Sequence, residues 1–477
     1  MDNFVIMSRK RKNLLIEKIK ILDIGDKGRS VAKHKERVIF IQGGVPGDIC
    51  DIIVYKRRRK YWEARIEKIH HLSNNRETPK CEHFGICGGC KWQNMNYNSQ
   101  IEYKENSVIN NLRRIGKLKI PHHNKIISSK EKYFYRNKLE FTFSNNRWLS
   151  LQEIESNDVI SNKNGCGFHI PNMYDKIIDL ENCYLQEEPS NTIRLSIVKF
   201  ANENKLSFFD IKNHNGLLRN LLIRTSTTGD LMVLVQFYEK NKKNIDLLMN
   251  YLNDSFPTIT SLLYTVNQKA NDTIYDQEII CHSGQEYIKE KIEKLTFRIG
   301  AKSFFQTNIN QTKILYKKVK EFANIGKNNI VYDLYTGTGT IAQYIASKAK
   351  KVIGIDSVEE GIVSAIENSK ENKIDNCSFF KGDMKEIFTN EFINSNGLPD
   401  IIITNPPREG MHIKVVEEIL RIEAKRIIYV SCNPSTQARD LNILKEKYEI
   451  DNIQPVDMFP QTHHVENIVS LKIKLQK

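Results

Sequence analysis

The chain has 477 residues, 40% of them hydrophobic and 27% charged, with 72 Lys and Arg against 57 Asp and Glu for a formal net charge of +15. That length exceeds one ordinary hydrophobic core, so several domains are expected, three in our reading, in an otherwise globular composition. No run of about 18 uncharged apolar residues is present to cross a bilayer, and the opening MDNFVIMSRKRK lacks the apolar core and small-residue cleavage site of a secretory signal, so a cytoplasmic protein with no membrane partner is expected.

Residues 1–70 hold 18 Lys and Arg against 9 Asp and Glu. Such an excess suits a polyanion, although a solvated lysine face has the same composition. RVIFIQG (37–43) and ICDIIVY (49–55), set off by the turn signals GDKG and GGVPGD, predict short strands of a small barrel or sandwich spanning residues 8–70. Lys56, Arg57, Arg58, Arg59 and Lys60 stand directly before Tyr61 and Trp62, which puts positive charge beside rings able to stack on bases.

Residues 71–300 predict a mixed central domain. Its first part is turn-rich and contains CEHFGICGGCKWQ, with Cys81, Cys87 and Cys90 at C-x5-C-x2-C spacing and Gly88 and Gly89 permitting a tight wrap. Nine cysteines in a chain read as cytoplasmic argue against a disulfide framework and leave metal binding, catalysis or burial. Three thiolates need a fourth ligand. Zinc takes four cysteines or includes a histidine, for which His83 and His169 are available; a cubane iron-sulfur cluster takes four thiolates, and the residues alone leave both open. Cys166 in NGCGFH and Cys183 in DLENCYLQ are the candidates for the fourth. The segment 100–116 predicts a helix, and alternating runs such as KLEFTFS and LMVLVQF predict an antiparallel sheet with helices.

Beyond residue 300 the pattern changes. NIVYDLY, KVIGID, DIIITN and RIIYVSC alternate with helical stretches, as in a doubly wound α/β sheet over residues 301–477. VYDLYTGTGT (331–340) puts a strand before a Gly-x-Gly turn and a helix; Asp356 ends the next strand, where a carboxylate can accept both hydroxyls of a ribose, and Asp383 in FFKGDM is suited to an adenine amine. Together these resemble the S-adenosylmethionine site of class I methyltransferases; the pattern also fits a Rossmann-like domain for another nucleotide.

DIIITNPPREG (400–410) carries Arg408 where amino-directed nucleic-acid methyltransferases have a base-stacking aromatic. A guanidinium donates hydrogen bonds to a carbonyl oxygen, which points away from exocyclic amines. The next apolar run, RIIYV, ends at Ser431 and Cys432, on the carboxyl edge where open α/β sheets bind ligands, and Pro434 fixes the turn. Carbon 5 of uracil is too poor a nucleophile to take a methyl group directly, but a thiolate adding to carbon 6 converts it to an enolate. The adduct must then lose its carbon 5 proton, and MFPQTHHVE (458–466) supplies His463, His464 and Glu466 as possible bases.

With NPPREG, SCNPSTQARDL and FPQTHHVE in this order, the chain resembles the RNA (uracil-5-)-methyltransferase family, in particular its iron-sulfur branch acting on 23S ribosomal RNA. The resemblance implies Cys432 as nucleophile, Glu466 as base, and Gln306, Tyr335, Asp356 and Asn405 as cofactor residues. It implies a 4Fe-4S cluster on Cys81, Cys87, Cys90 and Cys183, with Cys166 structural. It also implies an RNA-binding TRAM domain at the amino end. Many members have cysteine where Thr336 stands and some have aspartate at Asn405. The activity implied is S-adenosylmethionine-dependent synthesis of 5-methyluridine in 23S rRNA, with transfer RNA as the alternative target and no obligate protein partner. Arg136, Asn137 and Lys138 are candidate RNA contacts. Two readings from other classes compete: a zinc-stabilised RNA-binding protein without catalysis, and a methyltransferase acting on a base nitrogen.

Overall fold

Apolar residues at every second position build the first sheet. Its strands are Leu14–Lys20, Asp23–Ile24, Ser30–His34, Arg37–Gln42, Ile49–Arg57 and Tyr61–His71. One face buries Ile39, Ile41, Cys50, Ile52 and Val54, and the other carries the partly buried Val38, Phe40 and Ile53 beside Asp51 and Tyr55. In the computed structural model, residues 13–120, 122–156, 160 and 162–475 are described; the opening segment 1–12, read above for a signal, lies outside them. Among the described residues no helix is long and apolar enough to cross a membrane.

Two compact units make up the chain. One comprises Met1–Gly85, Cys90–Tyr103 and Gln461–His463, and the other Ile86–Gly89, Lys104–Pro460 and His464–Lys477. The helix predicted over 100–116 runs from Tyr97 to Arg114.

In the larger unit, a seven-stranded sheet has the order Ile280–Gly284, Ser261–Val266, Leu231–Phe237, Leu218–Thr225, Lys138–Ser144, Gly165–Ile170, Met173–Asp179. It is antiparallel, as the alternating pattern predicts, except where Leu231–Phe237 runs parallel to Ser261–Val266. Parallel neighbours need a crossover, and the helix Lys242–Ser255 supplies it.

The last sheet has the order Cys377–Lys381, Lys351–Asp356, Ile330–Leu334, Ile401–Thr404, Arg426–Ser431, Glu466–Ile473, Tyr448–Val456. The first five strands are parallel and covered on both faces, which is why they read as unbroken apolar runs such as Ile401-Ile402-Ile403. The final two form an antiparallel pair at one end, an addition to the all-parallel pattern that the apolar runs suggest. Ile330–Leu334 pairs with both Lys351–Asp356 and Ile401–Thr404, so the winding reverses there and opens a crevice beyond the strand ends. Tyr335, Asp356, Asn405 and Cys432 all stand at those ends.

Candidate active site

The turn after Ile330–Leu334 is shaped by backbone conformations that L-residues rarely adopt. Tyr335 has φ +60°, Gly337 +54° and Gly339 +75°. A Cβ on Gly339 would lie 2.9 Å from the Ala365 Cβ and the Phe379 ring, so the turn packs against its neighbours only without a side chain. A Cβ on Gly337 would meet nothing within 4 Å, leaving that side open to a ligand. Asp333 holds the turn from below: its Oδ2 accepts the Thr336 hydroxyl at 2.6 Å and the Ala342 N–H at 3.1 Å. Burial pushes the Asp333 carboxyl up to about 7.

Asp356 is oriented by two backbone donors, Gly337 N–H at 2.8 Å on Oδ2 and Val358 N–H at 2.9 Å on Oδ1. Each carboxylate oxygen keeps a lone pair for a further donor. The Tyr335 phenol is pushed up to about 12, first by burial and then by the carboxylates of Asp440, Asp383 and Asp356. Asp383 is exposed and paired with Lys385, Nζ to Oδ2 2.9 Å. Gln306 is buried, and its backbone is held by Asn137: the Asn137 Nδ2 donates to the Gln306 carbonyl at 3.1 Å and the Asn137 N–H to the Thr307 carbonyl at 2.8 Å. Asn137, read above as an RNA contact, is itself buried and supports the Gln306 segment instead.

Cys432 and Glu466, the expected nucleophile and base, lie at the same end of an antiparallel ladder. The pairing ends at Ser431 opposite Asn467, Cys432 stands in the bend just beyond, and Glu466 is the first residue of its own strand. Cys432 is half-buried, and burial together with the Glu466 charge pushes its thiol up to about 11; the Arg408 guanidinium opposes this by charge and by hydrogen bonding. Glu466 is 4% exposed, and burial pushes its carboxyl up to about 8, again opposed by Arg408. One cation therefore faces both groups. Arg408 stands four residues past Thr404, after Asn405 and the two prolines, so the Asn-Pro-Pro turn delivers it.

The connection before Glu466 is anchored at several points. Asn308 Nδ2 donates to the Met458 carbonyl at 3.0 Å, Gln311 Nε2 to the Asp457 carbonyl at 2.8 Å, and the Tyr135 hydroxyl to the Pro460 carbonyl at 2.9 Å. Lys104 and Asp457, both fully buried, pair at 2.6 Å. Of the histidines in this stretch, His464 lies edge-on to Phe459 at 6.3 Å, and His463 edge-on to Trp92 at 6.5 Å in the smaller unit. Glu466 acts electrostatically on the Cys432 thiol.

Cys81, Cys87 and Cys90 are half-buried, while Cys166 and Cys183 are buried. The Gly89 N–H donates to the Cys87 sulfur at 3.4 Å, a contact that favours a thiolate ligand. A Cβ on Gly88 would lie 2.6 Å from the His169 carbonyl oxygen, so the loop passes close to that backbone. The Cys183 N–H is fixed by Asn191 Oδ1 at 2.8 Å. Among the described residues no group of three or more His, Cys, Asp or Glu side chains is arranged to hold a metal ion.

Residues 275–474 match the model of the tRNA (uracil-5-)-methyltransferase family. An uncharacterised RNA methyltransferase of Bacteroides thetaiotaomicron is 49% identical over 450 residues, covering 94% of this chain and 99% of that one. Another from Porphyromonas gingivalis is 46% identical, covering 95% and 99%. The crystal structure of Pyrococcus abyssi tRNA (uracil-54, C5)-methyltransferase in complex with S-adenosyl-L-homocysteine is similar with a TM-score of 0.72 and 28% identity, covering 95% of this chain and 99% of that one. These similarities set aside the non-catalytic RNA-binding protein and the transfer to a base nitrogen. The chain belongs to the RNA uracil-5-methyltransferase family and is an S-adenosylmethionine-dependent enzyme acting on RNA.

Proposed function

We propose that this enzyme makes 5-methyluridine at a specific uridine of 23S ribosomal RNA, in the cytoplasm, through a transient bond between Cys432 Sγ and uracil carbon 6. The observation that carries this reading is the placing of Arg408 against both Cys432 and Glu466. Addition of the thiolate to carbon 6 pushes electrons onto the uracil carbonyl, where a guanidinium can receive the developing charge. The donor, bound at Tyr335, Asp356, Asp383, Asn405 and Gln306, supplies an electrophilic methyl group on sulfonium sulfur. Carbon 5 of the enolate attacks that carbon, and the sulfonium sulfur leaves with the bonding pair. Glu466 then removes the carbon 5 proton, the ring double bond re-forms, and Cys432 leaves with the pair from the S–C bond.

In this reading residues 8–70 are a TRAM-like RNA-binding barrel, 71–300 a central domain and 301–477 the transferase. The amino-terminal sheet contributes charge and rings for RNA, with Arg29 over Phe40 at 4.2 Å and Arg57 over Trp62 at 5.8 Å. Cys81, Cys87, Cys90 and Cys183 would hold a 4Fe-4S cluster; the C-x5-C-x2-C spacing, the family resemblance and the N–H on the Cys87 sulfur support this, and the cluster's work would be structural, since methyl transfer needs no electrons. The ribosomal target rests on the resemblance to the iron-sulfur branch. A transfer RNA target is favoured by the Pyrococcus abyssi relative, whose own substrate is tRNA uracil-54.

Mapping 5-methyluridine in 23S and transfer RNA from cells with and without the gene tests the target: one mark in 23S RNA should disappear, and loss from transfer RNA alone would replace the ribosomal reading. Anaerobically purified protein should absorb near about 400 nm with about four irons per chain; a colourless protein carrying stoichiometric zinc would overturn the cluster. Glu466 also sets a pH dependence. A carboxyl raised to about 8 is neutral below that pH and basic above it, so the rate of adduct breakdown should rise as pH passes through about 8. Glu466→Gln should abolish that rise and accumulate the adduct; a wild-type inflection near the ordinary carboxylate range would contradict the assignment.

A further inference from the structure

The Arg408 loop has little side-chain packing on its outer side. A cleft of about 430 Å³ runs between residues 409–413 and Arg439, Asp440 and Ile443. Polar contacts from one helix, Pro434–Leu444, hold the loop instead, and that helix begins two residues after Cys432. Asn433 Nδ2 and Thr436 Oγ1 donate to the Arg408 carbonyl at 2.9 and 3.1 Å. Arg439 Nη2 donates to the Glu409 and Met411 carbonyls, both at 3.0 Å. Asp440 Oδ2 accepts the Met411 N–H at 2.9 Å and the Tyr429 hydroxyl at 2.7 Å, while its Oδ1 accepts Arg439 Nε at 2.8 Å.

Asp440 is only 1% exposed, so its charge is kept in place by these three donors. Tyr429 belongs to the strand that ends at Ser431, which makes Asp440 a direct link between the nucleophile strand and the Arg408 loop. Gly410 is part of the same fit: its φ is +76°, and a Cβ there would lie 2.7 Å from Arg439 Nη2 and 2.8 Å from Asp440 Oδ2.

We propose that Arg439 and Asp440 are positioning residues that hold the Arg408 guanidinium against the Cys432 sulfur. Neither touches the reacting atoms. They fix the backbone that follows Arg408, at Glu409 and Met411, by reference to the strand that carries Cys432. A hydrogen-bonded strap of this kind acts on the geometry of the transition state; the Asp440 carboxylate also bears on Tyr335, so Arg439 is the member of the pair whose effect is read apart from cofactor binding.

The inference rests on the covalent reading above, and a double-mutant cycle tests it separately. Arg439→Met, at a half-exposed side chain, and Asp440→Asn should each lower kcat at least about tenfold, and Arg439→Met should leave KM for S-adenosylmethionine within about twofold of wild type. In an Arg408→Gln background neither change should lower kcat further by more than about twofold. Iodoacetamide alkylation of Cys432 against pH gives a second readout: Arg439→Met should shift the profile upward as Arg408→Gln does. Effects that multiply across the two backgrounds, or an unchanged alkylation profile, would overturn the proposal. Should Cys432→Ala retain full turnover, the covalent reading fails, while the cycle still reports whether Arg439 acts through Arg408. Asp440→Asn is the variant at risk of misfolding, and Arg439→Met decides the question without it.

Discussion

Arg408 faces two groups whose ionisation burial opposes. A thiol next to a carboxylate in a partly dry pocket resists losing its proton, and the carboxylate resists charge for the same reason. One fixed guanidinium relieves both and stays when charge moves onto the bound base. Three local structures have to agree for this to hold: the antiparallel ladder that brings Cys432 and Glu466 to one end, the Asn-Pro-Pro turn that presents Arg408, and the helix Pro434–Leu444 that fixes the turn to the strand. The added antiparallel pair at the end of the parallel sheet brings a carboxylate from the carboxyl-terminal stretch beside a strand-end thiol, which is what the proposed mechanism requires of it.

The same helix organises more than the Arg408 loop. Gln437, fully buried, donates from Nε2 to the Tyr429 carbonyl at 2.9 Å and the Asn467 carbonyl at 3.2 Å, and its Oε1 accepts the Asn467 amide at 2.8 Å. Thus the residues following the nucleophile in SCNPSTQARDL divide their contacts: Asn433, Thr436, Arg439 and Asp440 hold the loop, and Gln437 holds the strand next to Glu466. A buried amide that uses both its donor and its acceptor fixes geometry more strictly than apolar packing would.

Much of this was legible in the sequence, and the reason is physical. Parallel strands covered on both faces leave continuous apolar runs, so the strand ends carrying Tyr335, Asp356, Asn405 and Cys432 could be placed without coordinates. Arg408 was visible as a departure from an aromatic clamp, but its approach to Cys432, 24 positions away, depends on strand order, which periodicity does not encode. The approach of Cys432 to Glu466 was hidden for the same reason, since the residues that a ladder brings to one end appear only once the antiparallel pair is known. Asn137 misled because a polar residue beside Arg136 and Lys138 reads as surface, whereas its amide and N–H serve the Gln306 and Thr307 carbonyls. The cysteine spacing gave ligand chemistry and left the metal open, because thiols alone suit zinc and iron-sulfur alike.

The central claim is a sulfur–carbon bond at residue 432, and trapping it is the most direct measurement. An RNA substrate bearing 5-fluorouridine at the target, incubated with enzyme and S-adenosylmethionine, has no carbon 5 proton to surrender and so cannot release the thiol. Mass spectrometry of the digested complex should find the nucleotide, already methylated, on the peptide containing Cys432. Turnover of normal substrate with no such adduct, or attachment at a different residue, would contradict the account.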